Sequence, residues 1–192
     1  VADFNIKAIV LSHSKENRKI FHTEFKKIKE AQKRYPAERE YLVNNNKRNI
    51  FIRNLLWSLE GQNNLVLFDL VEKHGKILEP MLQKEGRELH FIYGGVSGDE
   101  RERIRHLVEN DPEKKHNILA SFGTFSTGVN LKRLDNVIFA SGSKSEVYNT
   151  SRNVLRFMVL NNLILECIQL IFNHPLRGVS KTQYYMEYLL LY

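Results

Sequence analysis

The chain has 192 residues, 42% of them hydrophobic and 27% charged, with a formal net charge of +7 and a pI near 9.4. That is enough apolar material for a globular core and too much for a disordered chain, and the basic excess suits a polyanionic partner without requiring one. One cysteine, Cys167, excludes a disulfide framework and any Cys/His zinc spacing, so a reducing cytoplasmic setting is expected and no metal ligand set. Val1–Lys7 lacks the charged start and apolar run of a signal peptide, and no apolar run reaches the ~18 residues of a membrane helix, so no membrane partner is expected.

Asn5–Leu11 is a short buried strand by composition. Ser14–Lys33 is charged, with Ile20, Phe21, Phe25 and Ile28 at helical spacing and Ser14 as N-cap; Tyr35-Pro36 should break it. Ala37–Leu59 is a second helical region, interrupted near Asn44-Asn45-Asn46. Its apolar face is Ile50, Leu55, Leu56 and Leu59 with Trp57 at the edge, and Gly61 ends it. A regular alternation follows: strand Leu65–Leu70, helix Glu72–Lys84, strand Leu89–Tyr93, helix Asp99–Glu109 capped by Ser97 or Asp99, strand Asn117–Ser121 and strand Asn136–Ala140. Strands without polar alternation, separated by helices, predict an α/β fold: a parallel sheet with helices on both faces and right-handed crossovers.

Ligands meet such a sheet at the loops after the C-terminal strand ends. Those loops hold Lys73-His74-Gly75-Lys76, Gly94-Gly95-Val96-Ser97, Ser121 to Asn130 and Ser141 to Ser145, all small, polar or basic. The segment Ser121-Phe122-Gly123-Thr124-Phe125-Ser126-Thr127-Gly128-Val129-Asn130 is the densest in hydroxyls and glycines. Small residues let backbone amides approach a phosphate and hydroxyls donate to its oxygens, although an ordinary surface turn uses the same residues. The arginine-rich helix Arg101, Arg103, Arg105 reads as a solvated face, and Phe122 and Phe125 as packing groups rather than base-stacking ones.

Ala120-Ser121 through Gly128-Val129-Asn130, followed by Leu134-Asp135-Asn136-Val137-Ile138, resembles motif V of superfamily-two helicases: strand, a loop ending Thr-Gly-(Ile/Val)-(Asp/Asn), strand. Leu65–Phe68 with Val71-Glu72-Lys73-His74-Gly75 resembles motif IV of phage UvsW-type helicases. Ile92-Tyr93-Gly94-Gly95-Val96 resembles the next block, and Tyr41, Arg48-Asn49 and Ile52 the helix before motif IV. The resemblance runs collinearly over residues 3–156. It implies a RecA-like fold, the C-terminal of two such domains with ATP and Mg²⁺ bound between them, and DNA (single-stranded, forked or branched) as partner. By the resemblance Thr127, Gly128 and Asn130 face the ATP cleft, while His74, Lys76, Gly95, Ser121 and Thr124 lie on the DNA track. A phage-encoded member would work in the host cytoplasm.

The family's motif VI, Gln-x-x-Gly-Arg-x-x-Arg, supplies arginines to the γ-phosphate. Here Ser151-Arg152-Asn153-Val154-Leu155-Arg156 takes its place. Val154-Leu155-Arg156 matches its end, while Arg152 is one position too far away and no glycine or glutamine precedes it. Arg156 and Arg152 are nevertheless the candidate catalytic arginines, since a spacing of four keeps both on one helical face. No G-x-x-x-x-G-K-[ST] and no Asp-Glu-x-His or Asp-Glu-Ala-Asp run occurs in the chain, so the first RecA-like domain is an expected partner and the chain alone should not hydrolyse ATP.

Composition then shifts. Residues 157–192 carry four charges, Glu166, Arg177, Lys181 and Glu187, against 22 apolar residues in 36. The expected division is therefore a helicase C-terminal RecA-like domain over 1–156 and an atypical apolar tail over 157–192, out-of-frame or otherwise non-native. In support, codons for Phe157–Asn162 can encode Ile-His-Gly-Ser-Lys-Gln after one added base, and the family continues past motif VI with His-Gly-Ser-Lys. On that reading the sheet lacks its last strand; on its rival an apolar helix spans Asn161–Phe172. The functional expectation is the C-terminal motor domain of an ATP-dependent DNA helicase or branch-migrating translocase. The alternatives are an RNA helicase or restriction-enzyme motor of the same superfamily, and a stand-alone nucleic-acid-binding or regulatory module with a degenerate motor fold.

Overall fold

The computed structural model describes residues 4–11, 15–126, 131, 133–141 and 165–172. Six strands form one sheet: β1 (Phe4–Leu11), β2 (Asn64–Phe68), β3 (Leu89–Ile92), β4 (Asn117–Ser121), β5 (Asn136–Phe139) and β6 (Leu165–Phe172). Their spatial order is β1-β6-β5-β2-β4-β3, and every pairing is parallel. The chain leaves β2 for the edge at β3, returns through β4, and crosses β2 to continue outward on the other side. The strand order therefore reverses around β2, and the crevices beside its C-terminal end are where such sheets bind ligands.

The α-helices among the described residues are α1 (Lys15–Lys26), α2 (Ala31–Val43), α3 (Asn46–Ser58), α4 (Lys76–Leu82), α5 (Gly98–Asn110) and α6 (Phe122–Ser126). Alternation along β2 splits the core in two. Leu65 and Leu67 join Ile92, Ile118, Val137 and Phe139 in a layer closed by Ile104 and Val108 of α5. Val66 and Phe68 face the other way, onto Ile52 and Leu56 of α3 and Leu78 and Leu82 of α4. Burying one such side chain contributes roughly 1.5–3 kcal/mol, and both faces of β2 to β5 are covered as their uninterrupted apolar runs require.

Three elements depart from the sequence reading. Pro36 lies inside α2 instead of ending a helix. The break falls earlier, where Lys27 and Ile28 donate to carbonyls three residues back, at Glu24 and Phe25. Proline costs one backbone hydrogen bond at its own position, and the flanking turns here retain theirs. The buried stripe of α3 is Arg48, Asn49, Ile52 and Leu56, with Ile50 only half-buried. Counting apolar residues alone missed it because two of its members are polar. The expected break near Asn44–Asn46 is present, with the Asn45 side chain capping α3 by accepting from Arg48 N at 3.2 Å.

The third departure is at β6. The sheet is not short of a last strand, because Leu165–Phe172 pairs with both β1 and β5, a strand where the rival reading put a helix.

At the opposite, N-terminal end of the sheet, Asn64, Asn117 and Asn136 stand side by side in register. Asn64 Nδ2 donates to Asn117 Oδ1 at 3.0 Å and Asn136 Nδ2 donates to Asn64 Oδ1 at 2.7 Å. This row closes the bottom of the core with hydrogen-bonded amides, while the remaining Asn136 Oδ1 is buried without a partner.

Candidate functional site at the C-terminal strand ends

After β2 the backbone makes a five-residue π-helical turn, Val71–Gly75, before α4. Leu70 carbonyl accepts from both His74 N and Gly75 N at 2.9 Å. The extra residue in the turn swings His74 inward, and such π-turns often mark functional positions. Gly75 then passes so close to the Phe68 ring that a Cβ there would lie 2.5 Å from it.

His74 is fully buried. Its Nε2 is 3.3 Å from Arg48 Nη1 and 3.3 Å from Asn49 Oδ1. Burial and the neighbouring Arg48 charge push the imidazole pKa down to about 3, so the ring is neutral at pH 7. Arg48 can only donate to Nε2 and Asn49 Oδ1 can only accept from it, so the neutral ring satisfies one of these two contacts in each tautomer. Burial also lowers the Arg48 pKa to about 9, which leaves it charged. Its other arm donates to the Ala140 carbonyl at the end of β5. Arg48 thus ties α3, the π-turn and β5 together at the strand ends. As a direct DNA contact, the role expected of His74 has no surface to act through in this chain; the side chain instead braces the turn that carries Lys76.

Nearby contacts fix the same rim. Asp69 N donates to Ser141 Oγ at 2.9 Å, joining the loops after β2 and β5. Arg39 of α2 pairs with the Asp69 carboxylate, and Lys73 with Glu40 at 2.7 Å. Ser121 and Thr124, at the end of β4, are buried and share a 2.8 Å hydrogen bond between their hydroxyls. They fix the start of the motif-V-like loop and present little free hydroxyl surface. Lys76 is exposed and paired with Glu72 at 2.8 Å, which raises its pKa and keeps it cationic. Gly95 sits in the exposed turn after β3, where Val96 N donates to Tyr93 O at 2.9 Å.

On α5, Arg103 pairs with Glu100, and Arg105 with Glu102 and Glu109, so this helix is a self-neutralised solvated face. Phe122 is buried and stacks on Phe139 with centroids 6.1 Å apart, a packing role. Thr127, Gly128, Asn130, Arg152 and Arg156 lie outside the described residues. Arg39 and Asp69 were not singled out by sequence reasoning, and Ser141 only as the start of a loop. Their partners are up to 72 residues away in the chain, and no local spacing signals such pairs.

A parallel sheet whose order reverses at β2, with a π-turn, a hydroxyl-rich loop and a braced strand end around that reversal, has the layout of a nucleotide-handling α/β domain. The Helicase conserved C-terminal domain family matches residues 46–157, more than half of the chain. The chain belongs to this family. The helicase C-terminal domain is 34% identical over 128 residues to the ATP-dependent DNA helicase UvsW of Enterobacteria phage T4, covering 65% of the chain and 25% of that relative. It also resembles the crystal structure of T4 UvsW, with TM-score 0.73 and 25% identity over 96% of this chain and 39% of that one. A Sulfolobus solfataricus SWI2/SNF2 ATPase core in complex with dsDNA matches at TM-score 0.62 and 16% identity, over 88% of this chain and 41% of that one, and shares the fold. The helicase C-terminal domain therefore spans a quarter of its curated relative's length. Its fold is the RecA-like parallel sheet of that group.

The ATP and Mg²⁺ that the family implies can be tested against the groups on this rim. Asp69 is a carboxylate at a C-terminal strand end, but Arg39 already occupies it. Among the described residues this rim offers no free pair of oxygen ligands for Mg²⁺.

Proposed function

We propose that this domain is the C-terminal motor half of an ATP-dependent DNA helicase or branch-migrating translocase. It faces a first RecA-like domain across an ATP cleft, and that first domain holds the P-loop and the Mg²⁺ ligands. The carrying observation is the family match over residues 46–157 on a sheet whose order reverses at β2. Thr127, Gly128 and Asn130 follow the buried Ser121–Thr124 pair directly in the sequence. On this reading they meet the nucleotide, and Arg156, with Arg152 four residues before it, supplies the arginine finger. Lys76, at the start of α4, and Gly95, in the turn after β3, are exposed and take phosphates of the DNA backbone; such contacts carry no base information, so recognition follows DNA structure and weakens with salt. Ser121, Thr124 and His74 support that track from beneath the surface. ATP draws the domains together and hydrolysis releases them, so backbone grip alternates between the halves.

The test is alanine substitution in the two-domain protein in which a first RecA-like domain precedes this chain. Gly128→Ala and Arg156→Ala should each lower DNA-stimulated ATP turnover, Arg156→Ala by about 10³-fold if it is the finger. Lys76→Ala should raise the DNA concentration needed for half-maximal stimulation while leaving turnover at saturating DNA near the parent value. Wild-type turnover in both Gly128→Ala and Arg156→Ala would refute the assignment.

A further inference from the structure

At the end of the sheet away from the rim just described, Glu88, His90 and His116 meet around the starts of β3 and β4. Glu88 directly precedes β3, His90 is on it, and His116 directly precedes β4. His90 Nε2 and His116 Nδ1 are 3.1 Å apart, and Glu88 Oε2 is 3.7 Å from each. A point equidistant from the corners of that triangle lies about 2.0 Å from all three, within the range of zinc–nitrogen and zinc–carboxylate bonds. Two imidazoles and one carboxylate are a borderline-soft donor set that suits Zn²⁺ and its transition-metal neighbours and not Mg²⁺ or Ca²⁺.

We propose that Glu88, His90 and His116 form a site for one divalent transition-metal ion of the Zn²⁺ class, with solvent completing its coordination. Three further observations support it. The histidines are held by the sheet: His116 is 2% exposed, its backbone N–H donates to Asn63 Oδ1 at 2.8 Å, and His90 is in register with Ile118. The two imidazole rings lie side by side with centroids 5.2 Å apart, so their facing nitrogens converge on one point beside the Glu88 carboxylate. Glu88 is exposed, which gives an ion an entry path and the site an open position, while its carbonyl accepts from Asn117 N at 3.1 Å and so holds it beside β4. The ion would pin β3, the edge strand, to β4 through side chains. It would do so far from the ATP cleft, as a staple and not as a catalyst. The competing arrangement is a plain hydrogen bond between two neutral imidazoles, which uses the same 3.1 Å contact and needs no ion.

The experiment is Co²⁺ titration of the untagged full chain, followed by visible absorption and competed with Zn²⁺. Far-ultraviolet circular dichroism confirms that each variant is folded. The expected result is one equivalent of Co²⁺ with tetrahedral or five-coordinate d–d bands, displaced by Zn²⁺, and a thermal midpoint raised by the metal. Glu88→Gln, an exposed change that should not disturb folding, is expected to weaken binding by at least ~10-fold, and His90→Asn to abolish the bands. The chain has seven histidines, so His106→Asn, on the exposed face of α5, serves as the control and should bind as the parent does. Absence of d–d bands in the parent, or bands unchanged in both Glu88→Gln and His90→Asn, would overturn the proposal and leave the neutral imidazole pair as the correct reading.

Discussion

At His74 the cost of burial falls on the charged imidazole. The unfolded ring titrates near its ordinary pKa of 6.5, while the folded one, beside Arg48, is pushed down to about 3. Between those values the unfolded chain binds more protons than the folded one, so stability rises with pH across that window and is lost as pH falls through it. From pH 7 to pH 5 this one group should cost about 2 kcal/mol. His90 and His116 are shifted in the same direction and add to the loss. Urea melts of the chain at the two pH values check this, with His74→Asn as comparison: the parent should lose more stability on acidification than the variant. An equal loss in both would show that His74 is protonated in the folded state. The sequence placed this residue in a functional loop but on the surface, because Lys73-His74-Gly75-Lys76 has no apolar pattern. Only the π-turn, invisible to periodicity, turns the ring inward.

The turn itself depends on one close approach. Gly75 meets the Phe68 ring of β2, and Phe68 is packed against Phe91 with centroids 5.6 Å apart, so it has little room to yield. Gly75→Ala should therefore destabilise the chain by about 1–3 kcal/mol, read as a lower denaturation midpoint in urea. Gly94→Ala, where a Cβ meets nothing within 4 Å, should have a much smaller effect. Equal midpoints for the two variants would contradict the packing described. Among the elements, the strands from β2 to β5 and α5 were legible because their signals are local: uninterrupted apolar runs, turns, and Ser97 accepting from Glu100 N as a cap. The boundary between α1 and α2 and the buried stripe of α3 were not. Pro36 carried more weight in the sequence than its single lost hydrogen bond carries in the helix, and Arg48 and Asn49 are buried by partners in distant segments.

On the scale of the whole molecule, the basic excess lies entirely in residues 1–156, since the four charges of 157–192 cancel. Much of that charge is paired on its own helix, as with Arg103 and Arg105. What the sequence made legible of the site was its position, the loops at the C-terminal ends of a parallel sheet, and the family to which those loops belong. It did not show how the rim is braced, because the Arg48, Asp69 and Ser141 contacts join segments brought together only by folding. On the proposed function the domain is one half of a motor and incomplete without the other. Steady-state ATP turnover, measured with and without forked DNA for this chain alone and for the two-domain protein, tests it most directly. The predicted result is turnover in the two-domain protein only, stimulated by DNA and weakened by salt through the DNA term. ATP turnover by this chain alone, or turnover in the joined protein that ignores DNA, would contradict it.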